Sequence, residues 1–454
     1  MGATNRRIFE PSRETPVLGE YEVVVLGGGP AGISAAIAAG RSGRKTILIE
    51  RYGFLGGAGT AAGLSTFCGL HANVFGEHRQ VIHGIADDIL GRLTAMEALN
   101  DPHLSLGNKV MAQAYDISAY KIVADKLLLE ANVELLFHAI GVGAIMDSER
   151  RVGSLLVETK SGRRAILGNI FIDCSGDADL AGWAGAPFEK GSTDADLMYP
   201  STMFRIVGVD HVKAGNAWAK IPELMNEAAK KGRKFPRKGA IVRPQKNPGE
   251  WRANVTQVRN PDGSPVDGID VHQMSYGEIE GRRQCWDVFE FIREATPGFE
   301  NAYIVEIAPQ LGIRETRRIK GEYMLTEHDV LGCASFDDAI GVNGWPVERH
   351  VSGDVLIRFP PIPDSRGFSQ LPYRMMVPAG VDNLLVAGRC ASMTHDGQSA
   401  ARVSGPCFAM GQAAGTAADV ALGSNAAPGA IDIARLQRRL ETDGVYLGSD
   451  LPVS

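Results

Sequence analysis

The chain has 454 residues, with Lys+Arg 47 against Asp+Glu 53 and a net charge of −6. It therefore carries no global cationic field to draw it to nucleic acid or anionic lipid. Apolar residues at 44% and charged residues at 22% fit a globular protein with two or three cores, and six scattered cysteines without a CxxC pair exclude a zinc ribbon or a dithiol redox centre.

In chain order, residues 1–19 read as a polar arm without an apolar signal segment, which makes the cytoplasm the expected location. A Val-Val-Val-Leu run marks a strand over 21–26, followed by a helix over 30–42 and a second strand over 45–49 that ends at Glu50. The uncharged stretch 23–40 has the length of a membrane span, but its glycines and Pro30 divide it into strand, turn and helix. Helical spacing follows over 82–99 and 115–131. The period then changes, and 133–137, 141–146, 152–159 and 164–173 read as an antiparallel meander. Residues 191–369 loosen into mixed strands, loops and two helices. Within them, 220–259 holds 11 Lys/Arg against three Glu, read as a solvated face or as a contact between copies in a homo-oligomer. A strand over 383–387, a small-residue helix over 404–422 and a charged amphipathic helix over 431–441 close the chain. The expected class is α/β: a Rossmann-like doubly wound domain with an antiparallel meander, discontinuous over 20–190 and 370–425. An α+β substrate domain is inserted over 191–369, and a C-terminal helix and tail occupy 426–454.

Gly27, Gly29 and Gly32 form GxGxxG between a strand and a helix, with Glu50 closing the next strand 18 positions after Gly32. That context marks a dinucleotide site. Gly27 permits the tight turn, Gly29 lets a pyrophosphate approach the helix N-terminus, and Gly32 lets helix and strand pack closely. Glu50 can accept hydrogen bonds from ribose hydroxyls and repel a 2′-phosphate. NAD and FAD share this unit.

The further segments ERYGFLGG, DCSGDADLAG, LGIRETRR, LPYRMMVPAGVDNLLVAGR and MGQAAGTAA resemble those of FAD-dependent oxidoreductases with the glutathione-reductase-type flavin fold, related to the succinate dehydrogenase/fumarate reductase flavoproteins. The resemblance implies FAD along Gly27, Gly28, Gly29, Pro30, Ala31 and Gly32, with Glu50 and Arg51 at the adenosine ribose. It implies Gly56, Gly57, Ser175 and Gly176 beside the extended cofactor and Gly388-Arg389 at the pyrophosphate. The helix start, from Gly405 and Pro406 to Gly411, Gln412 and Ala413, would face the flavin. No His stands over 55–63 where relatives attach flavin, so FAD is expected without a covalent bond, although Cys68 and His71 lie close downstream. No metal site and no second nucleotide domain are expected.

For the reacting partner, His350, His395 and Arg402 are the candidate catalytic residues, and Arg314 and Arg374 the candidate substrate-binding ones. A His can take the proton when a hydride leaves an alcohol, and an Arg can clamp a carboxylate. The expected activity is hydride transfer between a small polar, carboxylate-bearing substrate and the flavin, with the electron acceptor open. A tRNA-modifying flavoprotein and a non-catalytic flavin-fold binding protein are the alternatives.

Overall fold

The computed structural model describes residues 7–192 and 197–449; the opening of the polar arm and the end of the C-terminal tail lie outside the described residues. One long strand, Gly162–Asp173, organises the fold by changing partners along its length. Its first half pairs antiparallel with Arg151–Thr159. It also runs parallel to Val17–Leu26, with Asp173 facing Leu26, and its last residues pair in parallel with Leu384–Val386. Thr46–Ile49 and Glu134–Leu136 extend the parallel side beyond Val17–Leu26. The late strand thus joins the same sheet as the glycine-turn strand, although more than 200 residues separate Asp173 from Leu384.

Two local expectations need correction. The first strand begins at Val17, inside the stretch read as an arm. Glu134–Leu136 is not part of the meander, because the helix Ile117–Glu130 returns the chain to pair it in parallel with Thr46–Ile49. The antiparallel part consists of Ile140–Ser148, Arg151–Thr159 and the start of Gly162–Asp173.

The β-branched run of the first strand suits its place, because Val23 and Val25 enter one core and Val24 the other, all fully buried. The helix Pro30–Arg41 covers the first of these faces, with Gly29 as N-cap and Pro30 in its first turn. Against it lies the helix Ser404–Ser424, at backbone contact. A Cβ added at Gly411 would stand 2.1 Å from the Ala31 carbonyl oxygen, and one at Gly415 equally close to that of Ala35. Among the described residues, no helix is long and apolar enough to cross a membrane.

A second layer supplies the roof. Four antiparallel strands, in the order Ile241–Pro244, Trp251–Asn254, Phe204–Val207 and Tyr303–Ile307, bury Phe204, Ile206, Trp251 and Ala253 against Phe289 and Phe299. Two long helices, Ala217–Lys230 and Val271–Ala295, accompany this sheet. Ile340, Val342, Val347 and Leu371 belong to the core that holds Val23 and Ile33. Within 191–369, one separate core draws on residues from Phe204 to Ala302, and a small one on Val258, Val266, Leu311 and Ile313.

Candidate active site

The glycine turn forms one wall of a long cleft. Gly27 takes φ +101°, and a Cβ there would press within 2.4 Å of the Cys174 carbonyl oxygen. At Gly32 an added Cβ would lie 1.8 Å from the Gly27 carbonyl oxygen, so helix and turn meet with no space for a side chain. Gly29 differs. A Cβ there would find only the Gly57 Cα, at 3.8 Å, so protein atoms leave the space beside this backbone free. Gly56 and Gly57, with φ +108° and +53°, bring the second turn opposite it. Glu50 ties the loop together: Oε2 accepts from the Gly28 N–H at 2.7 Å and Oε1 from the Tyr52 N–H at 3.0 Å. Burial pushes this carboxyl up from its ordinary range, against those two backbone donors.

Continuing along the cleft, Ser175, Gly176, Gly388 and Arg389 form the opposite wall. The Arg389 guanidinium is spent on holding that wall. It donates to the Gly176 carbonyl at 2.8 Å and the Asp177 carboxylate at 2.7 Å, and also to the Ile313 carbonyl. Arg51 reaches across the mouth to Gln310 at 3.0 Å. Phe67, Tyr115 and Tyr120 line the far end with Ala58, Val403, Ser404 and Cys407, and the Tyr120 hydroxyl is buried without a hydrogen-bond partner. The aromatic lining had no signal in spacing or motif. A glycine cradle that a Cβ would fill, a carboxylate at the adenosine end and an orphaned hydroxyl at the other fit an extended dinucleotide with a planar ring.

A smaller cavity adjoins this end, sharing Ala58, Leu64, Ile313, Arg402 and Val403 with the cleft. Arg243, Arg252, Arg314, Arg402, His103 and His350 all line it, and among the described residues Glu348 is its one carboxylate. Arg402 Nε and Nη2 are buried without a partner. Arg314 is held by the Tyr199 carbonyl at 2.6 Å; burial and the neighbouring Arg402 push it well below the ordinary arginine range. Glu348 accepts from Trp345 Nε1 at 2.8 Å and stands 3.3 Å from His350 Nε2.

Of the sequence-predicted residues, His350, Arg402 and Arg314 therefore meet at one place. Arg374 does not join them: it pairs with Asp338 through Nε and Nη2 and is half exposed. His395 is turned away by Glu315, 3.0 Å from Nδ1, and borders a different surface cavity. Gly411, Gln412 and Ala413 lie outside the cleft. Gly411 meets the Pro30–Arg41 helix, and Gln412 accepts from the Ile85 N–H at 2.9 Å. Gly405 packs on the Gly69 carbonyl, and Pro406 likewise lines neither cavity. Cys68 lines the second cavity and His71 neither. The basic stretch 220–259 is not wholly a solvated face, since Arg237 and Arg252 are buried and Arg243 half-buried, whereas Lys220, Lys230, Lys231 and Lys234 are exposed. Strand alternation could have shown this. In Trp251–Asn254 the apolar Trp251 and Ala253 enter the roof core while Arg252 and Asn254 face the cavity.

Burial and the arginines hold His350 down at about 3 against an ordinary 6.5. Despite burial, its partners hold Glu348 at about 2 against 4.5. Glu348 is thus ionised and His350 neutral at pH 7. Nε2 must then donate to the carboxylate, which leaves Nδ1 as the ring's acceptor. The unfolded chain binds a proton at His350 that the fold excludes. Stability is therefore complete above pH 6.5 and falls as pH drops toward 3, with Glu348 adding its own loss from pH 4.5 downward. Between pH 6.5 and 5 the thermal midpoint is expected to fall less steeply in H350Q than in the parent. The difference is bounded by one proton, about 1.4 kcal/mol per pH unit, and scanning calorimetry across that range measures it.

The family model described as "FAD dependent oxidoreductase" matches residues 22–440. Among curated proteins, a dihydrolipoyl dehydrogenase from Trypanosoma brucei brucei is 52% identical over 42 residues, which is 9% of this chain and 9% of that protein. Among solved structures, a geranylgeranyl bacteriochlorophyll reductase-like protein from Thermoplasma acidophilum superimposes with TM-score 0.45 at 12% identity, covering 93% of this chain and 83% of the other. A p-nitrophenol 4-monooxygenase from Pseudomonas putida DLL-E4 gives 0.46 at 13% identity, covering 96% and 90%. A flavin-dependent brominase, Bmp2, gives 0.47 at 14% identity, covering 93% and 83%. At these values the superpositions decide nothing about chemistry.

Proposed function

The chain belongs to the FAD dependent oxidoreductase family, and on that premise we propose that this enzyme is a dehydrogenase or reductase for a small polar, carboxylate-bearing molecule. FAD, when bound, supplies the group that takes or gives the hydride. Kinship with the glutathione-reductase-type and succinate dehydrogenase/fumarate reductase flavoproteins belongs to the same proposal.

The observation that carries the reading is Arg402. It lines both cavities, and two of its nitrogens are buried with nothing to donate to. Glu348 is the counter-charge acting on it most strongly, but a buried donor left unsatisfied still costs about 1–3 kcal/mol, and a carboxylate accepting from those nitrogens removes that deficit with charge-assisted hydrogen bonds. Arg314, in the same cavity, adds a second cation to orient that group. Orientation beside the dinucleotide cleft is what brings a substrate carbon to reacting distance. His350 Nδ1 is the acceptor for the proton of a C–OH undergoing oxidation, and its donor in the reverse direction. Glu348 holds the ring in the tautomer this requires. The aromatic floor of Phe67, Tyr115 and Tyr120 keeps water from the junction.

Anaerobic mixing of the FAD-loaded enzyme with a metabolite panel tests the reading through loss of the flavin's visible absorption. Carboxylate-bearing alcohols or saturated acids are expected to bleach it, and their primary amides not to. Bleaching by the neutral amides at the same rate would overturn the carboxylate assignment.

A further inference from the structure

The roof sheet carries a row of charges in register across its strands: Arg243 opposite Arg252, Arg252 opposite Arg205, and Arg205 opposite Glu306. Residues directly opposite in an antiparallel pair stand side by side, and like charges there destabilise the sheet. At one end of the row the balance is internal, because Arg205 pairs with both Glu250 and Glu306. At the other end it is missing. Arg252 is 4% exposed, its Nε has no partner, and its Nη1 reaches only the Met203 sulfur at 3.9 Å. After burial itself, the groups acting on it are Cys68 and Tyr115, both un-ionised at pH 7, and then two further arginines, Arg243 and Arg237, so that no ionised acid is among them. Arg243 lies over the Trp218 ring at 4.1 Å. Both Arg243 and Arg252 act on His103, which lines the same part of the cavity.

Arg243, Arg252 and His103 do not line the dinucleotide cleft, whereas Arg402 does. The cavity therefore has two cationic ends, one at Arg402 and Arg314 and one at Arg243 and Arg252. We propose that Arg243, Arg252 and His103 form a second anion subsite, and that the substrate carries two anionic groups, the second a carboxylate or a phosphate held away from the reacting carbon. This rests on the carboxylate reading above and extends it, because one anion cannot neutralise both ends. The row also accounts for why the two acids stand at Arg205 and not at Arg252: an acid there would occupy the subsite.

Isothermal titration of the FAD-loaded full chain with paired ligands tests this. Malonate, succinate and glutarate are compared with acetate and propionate, and phosphoglycolate with malonate, to separate phosphate from carboxylate. At least one dianion is expected to bind about tenfold or more tightly than its monoanionic counterpart. R252Q and R243Q are each expected to erase that advantage while leaving monoanion affinity within about threefold. If R252Q fails to fold, R243Q, at a half-buried position, carries the test. Monoanions binding as tightly as dianions, or an advantage that survives both substitutions, would overturn the second subsite alone. Absence of binding by any anion would overturn the carboxylate reading and this inference together.

Discussion

G29A is expected to fold normally and to lose FAD. Gly29 has φ −76° and ψ −177°, which alanine adopts freely, and the new methyl would touch only the Gly57 Cα at 3.8 Å. Apoprotein stability should therefore hold, or rise by roughly 0.4–1 kcal/mol through the unfolded chain. The methyl, however, projects between the two glycine turns, where the pyrophosphate must approach the helix N-terminus. Losing one charge-assisted hydrogen bond there costs about 1.5–3 kcal/mol, or roughly 10- to 150-fold in affinity. G32A is the control with the opposite signature, because its methyl would lie 1.8 Å from the Gly27 carbonyl oxygen and the fold itself should fail. Fluorescence titration with FAD, beside calorimetry of the apoprotein, separates the two effects. Unchanged FAD affinity in a folded G29A would show that no cofactor passes this backbone.

R402Q is expected to keep its FAD, keep its stability and lose its activity. The unpartnered Nε and Nη2 mean that the substrate-free protein gives up no hydrogen bond from them, and the attraction lost toward Glu348 is offset by release from the desolvation of a buried cation. The substrate complex loses a bidentate, charge-assisted clamp in a site shielded from water, so kcat/KM should fall by about 10²–10³-fold. R402K restores the charge without the planar fork and should recover only part of the rate. Steady-state kinetics with the substrate found by flavin bleaching gives the number. A kcat/KM within threefold of the parent would remove Arg402 from the substrate site, and concurrent loss of FAD would assign it to the cofactor instead.

What could be read before the structure divides along physical lines. The cofactor cradle was legible because its requirements are local. A turn needing positive φ, a helix N-terminus and a strand-end carboxylate all lie between Gly27 and Glu50. The late helix was half legible: Val403, Ser404 and Cys407 reach the cleft, but a Gly-Ala face serves helix packing as well as it serves a flat ligand. Gly411 and Gln412 proved to do the packing and capping. Arg374 and His395 lay near the right segments and point elsewhere, because proximity in sequence does not fix a side chain's direction. The largest omission was Arg243 and Arg252. Their juxtaposition arises from strand register with Arg205 and from a roof sheet folded over residues more than 90 positions away in the chain, such as His103 and Glu348.

The most direct measurement is a crystal structure of the FAD-loaded enzyme with the carboxylate substrate or a competitive analogue bound. The adenosine end is expected beside Glu50, the pyrophosphate against Gly29, the ring at the junction of the two cavities, and the carboxylate in contact with Arg402. Density for the dinucleotide away from the glycine turns, or for the carboxylate outside the arginine-lined cavity, would contradict that placement.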